Sequence, residues 1–449
     1  MTNVQGAGKV KIMLIFQSFD ENKYGVTIKS QRTIAELQKS NEYGEDDSYA
    51  IYEMLINNMK PVDFGYYLKR YVYKAAGFTE DFESVPVKEF ADVIIDAFSN
   101  KGIPCSWKRT STRLPAAVKN WLTQKTVSRE AVIMLGFGLD MSLEDINDFL
   151  TKGLKESILS PKNPAEAICW YCVKYRKGFF RFRDLLAEYE KLPGTTDSKR
   201  NISTTGTLVL RTEVEEIRDD KTLLRYLNQL RRIDGKTRQS VEARRQFDQL
   251  YDEASRYIAE LKNEEENDQK GIELGRLKDK LARDDRYYDT EKQEQIRNFS
   301  NQKKHWTKED ITPAYFENEL FSAIPKDRNG NLLPIKGSAL NEQFSGKRLN
   351  RQHLQEILDG TGIINRYDLA TMSFFVMSQR KELEENSFER YQAFVEQTNQ
   401  ILDRCGMGDL YDANPYDAFL KICMLSDYPL GTYADVWGMA YDLEQQTES

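Results

Sequence analysis

Two histidines in 449 residues, His305 and His353, leave little material for the chemistry that most often uses them. Zinc sites, Ser-His-Asp arrangements and Cys-His pairs each need at least one histidine in a defined constellation. These two stand alone on polar segments and read as surface residues. Five cysteines, an odd number spread along the chain, do not make a disulfide framework. No uninterrupted apolar run approaches the ~20 residues a bilayer span needs. Ile12 to Phe16 is too short for a secretory signal and lacks its cleavage site. The expected compartment is the cytoplasm, with no membrane contact. A basic excess is also missing. The net charge is −7, so the surface as a whole offers no attraction to nucleic acid or anionic lipid.

What is present is enough apolar and aromatic residue, 40% and 11%, to build large cores, and a length suited to two or three domains. The pattern is helical nearly throughout. Val10 to Phe16 is β-prone and reads as one strand, and the rest of a region to residue 105 reads as helices. Tyr49, Tyr52, Met54 and Leu55 share a face, as do Phe90, Val93, Ile94 and Phe98, the latter stripe ended by Gly102 and Pro104. From 106 to 192, Ser128 and Ser142 are helix caps, the second with Asp145 placed for a capping box. Asn163-Pro164-Ala165-Glu166 starts another helix: Asn caps, Pro fits the first helical position, and Glu can reach back. Residues 193–208 (PGTTDSKRNISTTGTL) read as a linker, 209–324 as a charged helical insert, and 325–346 as a second linker.

Residues 347–449 repeat the module at 106–192. Arg129, Val132, Leu135 and Phe137 match Arg366, Leu369, Met372 and Phe374 in spacing, and Asn147 and Leu150 match Asn399 and Leu402. Asn163-Pro164-x-Glu166-Ala167 matches Asn414-Pro415-x-Asp417-Ala418, and Cys172 matches Cys423. The expected fold is therefore all-α, with two related multi-helix modules flanking the charged insert and an N-terminal, mostly helical region.

The strings Val127 to Leu150, Asn163 to Cys172 and Asn414 to Trp437 resemble those of an uncharacterised family of all-helical proteins from Gram-positive bacteria. The first is also similar to helix-turn-helix-like modules. The resemblance implies a bacterial, all-helical protein and carries no activity.

Each chemical motif competes with a plainer reading. Gly6-Ala7-Gly8-Lys9 lacks the P-loop glycine, where Asn3 stands, and the hydroxyl for magnesium, where Val10 stands. Cys169-Trp170-Tyr171-Cys172 has no second ligand pair for zinc and lies within a helical pattern, so these cysteines read as buried, reduced and metal-free. The helix after Phe137, read as a helix-turn-helix, would present Glu144, Asp145 and Asp148 to DNA phosphates. Ser198 to Thr207 beside Lys199 and Arg200 offers phosphosites or simply a linker. Glu215-Glu216 and Asp219-Asp220 read as solvated faces. The sharpest signal is basic and aromatic: Lys174 to Arg183 (KYRKGFFRFR), together with Lys101 to Arg113. Lys108, Arg109, Lys174, Arg176, Lys177, Arg181 and Arg183 would bind single-stranded nucleic acid by phosphate contact and stacking, or a protein partner. Otherwise the run is a helix end whose cations favour the macrodipole. The residues point to no catalytic set, metal or cofactor. The expected function is a non-enzymatic adaptor or regulator working through protein–protein contacts, in a bacterial signalling or defence operon. The alternative is a nucleic-acid-binding regulator using the two basic runs.

Overall fold

The computed structural model describes residues 47–58, 63–108, 110–195, 207–234, 236–282, 290–292, 294, 296, 305–335, 338–344, 346–380, 386–411 and 414–447. These residues form an all-α protein with no β-strand among them. Among them, no helix is long and apolar enough to cross a membrane. Val10 to Phe16, the glycines at 6 and 8, Lys199 and Arg200 lie outside the described residues.

The helices in chain order are α1 (Asp47–Glu53), α2 (Phe64–Ala76), α3 (Val87–Asn100), α4 (Leu114–Thr123), α5 (Arg129–Gly138), α6 (Leu143–Asp148), α7 (Pro164–Lys174), α8 (Gly178–Glu190), α9 (Thr207–Glu216) and α10 (Asp220–Leu230). There follow α11 (Arg238–Ala282), α12 (Pro313–Leu320), α13 (Ala339–Gln343), α14 (Arg351–Leu358), α15 (Arg366–Ser378), α16 (Ser387–Arg404), α17 (Pro415–Leu425) and α18 (Pro429–Thr447). α6 runs on through a wider π-turn, Phe149–Gly153.

The starts follow the capping chemistry. Ser128 accepts from the Ala131 amide, and Ser142 and Asp145 form a reciprocal capping box. Asn163 accepts from the Ala165 and Glu166 amides at 3.0 and 3.3 Å, and Asn414 from the Tyr416 and Asp417 amides at 3.0 and 3.4 Å. One expectation fails. Glu166 does not reach back to its cap, because a stronger partner, Arg129, takes its carboxylate.

Two apolar cores organise the helices. The first gathers α2 to α10, from Phe64 to Leu230; the second gathers α1 and α11 to α18, from Ile51 to Ala440. The expected boundaries at 105/106 and 208/209 both fall inside the first core, because Leu210, Val214, Leu223 and Leu227 pack there with Phe90 and Ile94. α1 packs in the second core instead, almost four hundred residues away in sequence from its neighbour α18. The centre of each core is a helix buried on every side, α5 in the first (Ala131 to Gly138) and α15 in the second (Tyr367 to Met377). All-round burial is what an all-round apolar helix requires. Gly138 permits the first arrangement: a Cβ there would sit 1.8 Å from the Phe98 ring. The matched anchors Val132, Leu135 and Phe137, and Leu369, Met372 and Phe374, are all buried. Tyr49 is not. It is half exposed, and the face of α1 is made by Ile51 and Tyr52.

Candidate functional site

The two basic runs meet. Trp107 packs edge-on against Phe182, with ring centres 5.2 Å apart. Their cations, however, are largely engaged within the chain. Arg181 makes a bidentate contact to one oxygen of Asp220 at 2.8 and 3.0 Å and bonds Glu188 at 2.7 Å. Lys177 reaches the other Asp220 oxygen at 3.1 Å, where Tyr171 also donates. Burial pushes the Asp220 carboxyl up, but the bonds from Tyr171, Lys177 and Arg181 outweigh it and hold the group below its ordinary value. Asp220 is thus the hub of a four-residue polar cluster, not part of the solvated face expected for Asp219-Asp220. Lys108 pairs with Glu130 at 3.0 Å and Arg183 with Asp184 at 3.4 Å. Lys174 donates to the Glu215 carbonyl oxygen. Arg176, exposed and at φ 50°, is in no ion pair among the described residues. Arg109 lies outside them.

The cysteines behave as hydrophobes. Cys169, Cys172 and Cys423 are buried and free of disulfides, and burial raises all three thiols. No cluster of potential metal ligands occurs among the described residues.

His353 is not the plain surface residue expected. Its Nε2 lies 3.0 and 3.1 Å from the two oxygens of Asp368, a buried carboxylate that also caps the Asn365 amide. The bond to Asp368 raises the His353 pKa against an opposing effect of burial. The folded value therefore lies above the unfolded one, ~6.5. The pair stabilises fully below that pH and progressively less as pH rises through the folded value. His353 is partly exposed, so the gain is below about 1 kcal/mol. We expect the stability difference between the native chain and His353→Gln, read from urea midpoints, to be largest near pH 6 and to shrink by pH 9. A difference that grows with pH would contradict this.

Sequence reasoning missed a matched pair of ionic locks. Arg129, the first residue of α5, donates to both oxygens of Glu166 at the third position of α7, at 2.7 and 2.8 Å. Arg366, the first residue of α15, donates to both oxygens of Asp417 at the third position of α17, at 2.5 and 2.8 Å. Burial works against each guanidinium charge, and the carboxylate outweighs it. Each arginine also donates to two successive carbonyls in the preceding loop, Ser157 and Ile158 or Gly408 and Asp409. The loop returns to the acid: the Ser160 amide donates to Glu166 and the Tyr411 amide to Asp417. Asn147 accepts from the Leu159 amide at 3.0 Å, and Asn399 from the Leu410 amide at 2.8 Å.

These two loops face each other. The Ser160 hydroxyl donates to the Gly406 carbonyl at 2.8 Å, Lys162 pairs with Asp403 at 3.2 Å, and the Asn414 amide group donates to the Lys155 carbonyl at 3.0 Å. Ser157 sits against Gly408, its counterpart in the contact pattern; a Cβ on Gly408 would lie 2.1 Å from that of Ser157. A patch that meets its own counterpart has the geometry of a two-fold interface.

Beside this seam opens a cleft of about 1560 Å³. It is lined by α6 with its π-turn, α7, α9, α16 and the two loops, and the matched residues Glu144 and Asn147 of α6 and Glu396 and Asn399 of α16 all line it. Trp170, Ile158, Met407 and Leu410 give it apolar surface. Around them stand seven carboxylates against three cations. One of those cations, Lys152, is tied to Asp148, and Arg211 carries a buried Nε without a hydrogen-bond partner. No known family, curated protein or solved structure matches the chain.

Proposed function

We propose that the protein is a non-enzymatic adaptor or regulator, built by internal duplication, that works by docking a folded protein partner. The observation that carries this reading is the fate of the basic–aromatic run. Lys177 and Arg181 are held by Asp220 and Glu188, Arg183 pairs with Asp184, Lys174 bonds the Glu215 carbonyl, and Lys108 of the other run pairs with Glu130. Of the described candidates Arg176 alone stands outside such contacts, so most of the positive charge is already met within the chain. The matched locks of Arg129 on Glu166 and Arg366 on Asp417 support the duplication. The seam holds the copies in a fixed relation, as a scaffold that presents a surface must. A cytoplasmic setting and a bacterial signalling or defence operon belong to the same proposal.

The test is affinity purification of the tagged full chain from its native host at physiological salt, with and without nuclease. The reading expects a stoichiometric protein partner retained after nuclease treatment. Recovery of nucleic acid alone, lost on digestion, would overturn it in favour of a nucleic-acid-binding regulator.

A further inference from the structure

We propose that the cleft between α6 and α16 is the docking groove, and that its occupant is a basic amphipathic helix of a partner protein. This rests on the docking reading above and names its site. A cavity of about 1560 Å³ exceeds the roughly 300–1,000 Å³ of small-molecule pockets, so a polypeptide segment fits it better than a metabolite. The described residues contain no strand whose edge an extended peptide could join, which removes β-augmentation there. Helix-in-groove binding remains, and its demands are present: an apolar strip for one face of the helix, from Trp170, Ile158, Met407 and Leu410, and charge to fix orientation.

The charge selects the sign of the ligand. Among the described residues no ion pair engages Glu144 or Glu396, whereas Glu215 and Asp409 share the field of Arg211. Glu144 and Glu396 are exposed, line the cleft from two different helices and stand at matched positions. Lysines or arginines on the polar face of an entering helix would meet these carboxylates. The same carboxylates repel nucleic acid and acidic peptides.

The test uses the full chain and a fluorescein-labelled amphipathic peptide of about four helical turns, ~15 residues of leucine and lysine in helical register. A glutamate-for-lysine version is the control. The expected result is saturable binding of the basic peptide, weakened about tenfold by Glu144→Gln with Glu396→Gln. It is unchanged by Glu83→Gln with Glu89→Gln, outside the cleft. Glu144→Lys with Glu396→Lys should reverse the preference toward the acidic peptide. Both sites are exposed, so circular dichroism should show an intact fold. Absence of saturable binding, or equal binding by the cleft variants, overturns the proposal. Equal capture of a host protein by the native chain and by the glutamine pair would also overturn it while leaving the docking reading standing.

Discussion

Replacing Arg366 with alanine is expected to cost about 3–5 kcal/mol of stability, the largest single effect short of emptying the core. The cost comes from what is left behind. Asp417 is fully buried, and with Arg366 gone its charge keeps the Tyr411 amide as a donor but no bidentate cation. The Gly408 and Asp409 carbonyls lose their donors as well. Arg129→Ala should cost less, because the Arg129 side chain is a quarter exposed and water can reach part of the vacated site. Removing both partners, Arg366→Ala with Asp417→Ala, should recover part of the loss, since no isolated charge then remains. Urea midpoints of the three variants decide the matter. Equal costs for Arg366→Ala and Arg129→Ala would show that the second lock is not the more buried one in energetic terms.

Asn414→Ala should be the next most damaging change, at about 2–4 kcal/mol, and clearly worse than Asn163→Ala at about 1 kcal/mol. The two residues do the same work at their helix starts. Only Asn414 uses its amide group at the seam, donating to the Lys155 carbonyl and the Tyr367 hydroxyl at 3.0 Å each. Both are buried bonds, and losing them strands two polar atoms. Similar midpoint shifts for the two variants would mean that the seam contributes nothing.

Local features were legible because local chemistry determines them. Ser142 with Asp145 and the two Asn-Pro starts satisfy amides within three residues, so spacing alone reveals them. α5 was legible as an apolar run, and α15 by the match of its anchors to those of α5. What joins these pieces was not. Glu166 and Asp417 stand out as matched anchors, but their arginine partners lie 37 and 51 residues earlier, and nothing local pairs them. The Asp220 hub collects Tyr171, Lys177 and Arg181 from across a turn and the 193–208 segment, so the basic run seemed open when two of its charges were already met there. The seam joins Lys162 to Asp403, 241 residues on. The cleft is a product of that seam and has no signature in either half. His353 illustrates the same limit: the acid beside it belongs to the next helix start, where Asp368 first answers the Asn365 amide.

The sign of the surface offered to partners decides between a protein and a nucleic-acid ligand. Lys177 and Arg181 of the basic run are tied to Asp220, and acids outnumber cations seven to three around the cleft. The most direct test is a titration of the purified chain with single- and double-stranded DNA and RNA between 50 and 200 mM salt. A phosphate-binding surface of four or five cations would lose affinity by roughly two orders of magnitude over that range. We expect no submicromolar binding at physiological salt. Submicromolar binding that falls steeply with salt and is abolished by changing Arg176, Lys177 and Arg181 to alanine would contradict the account.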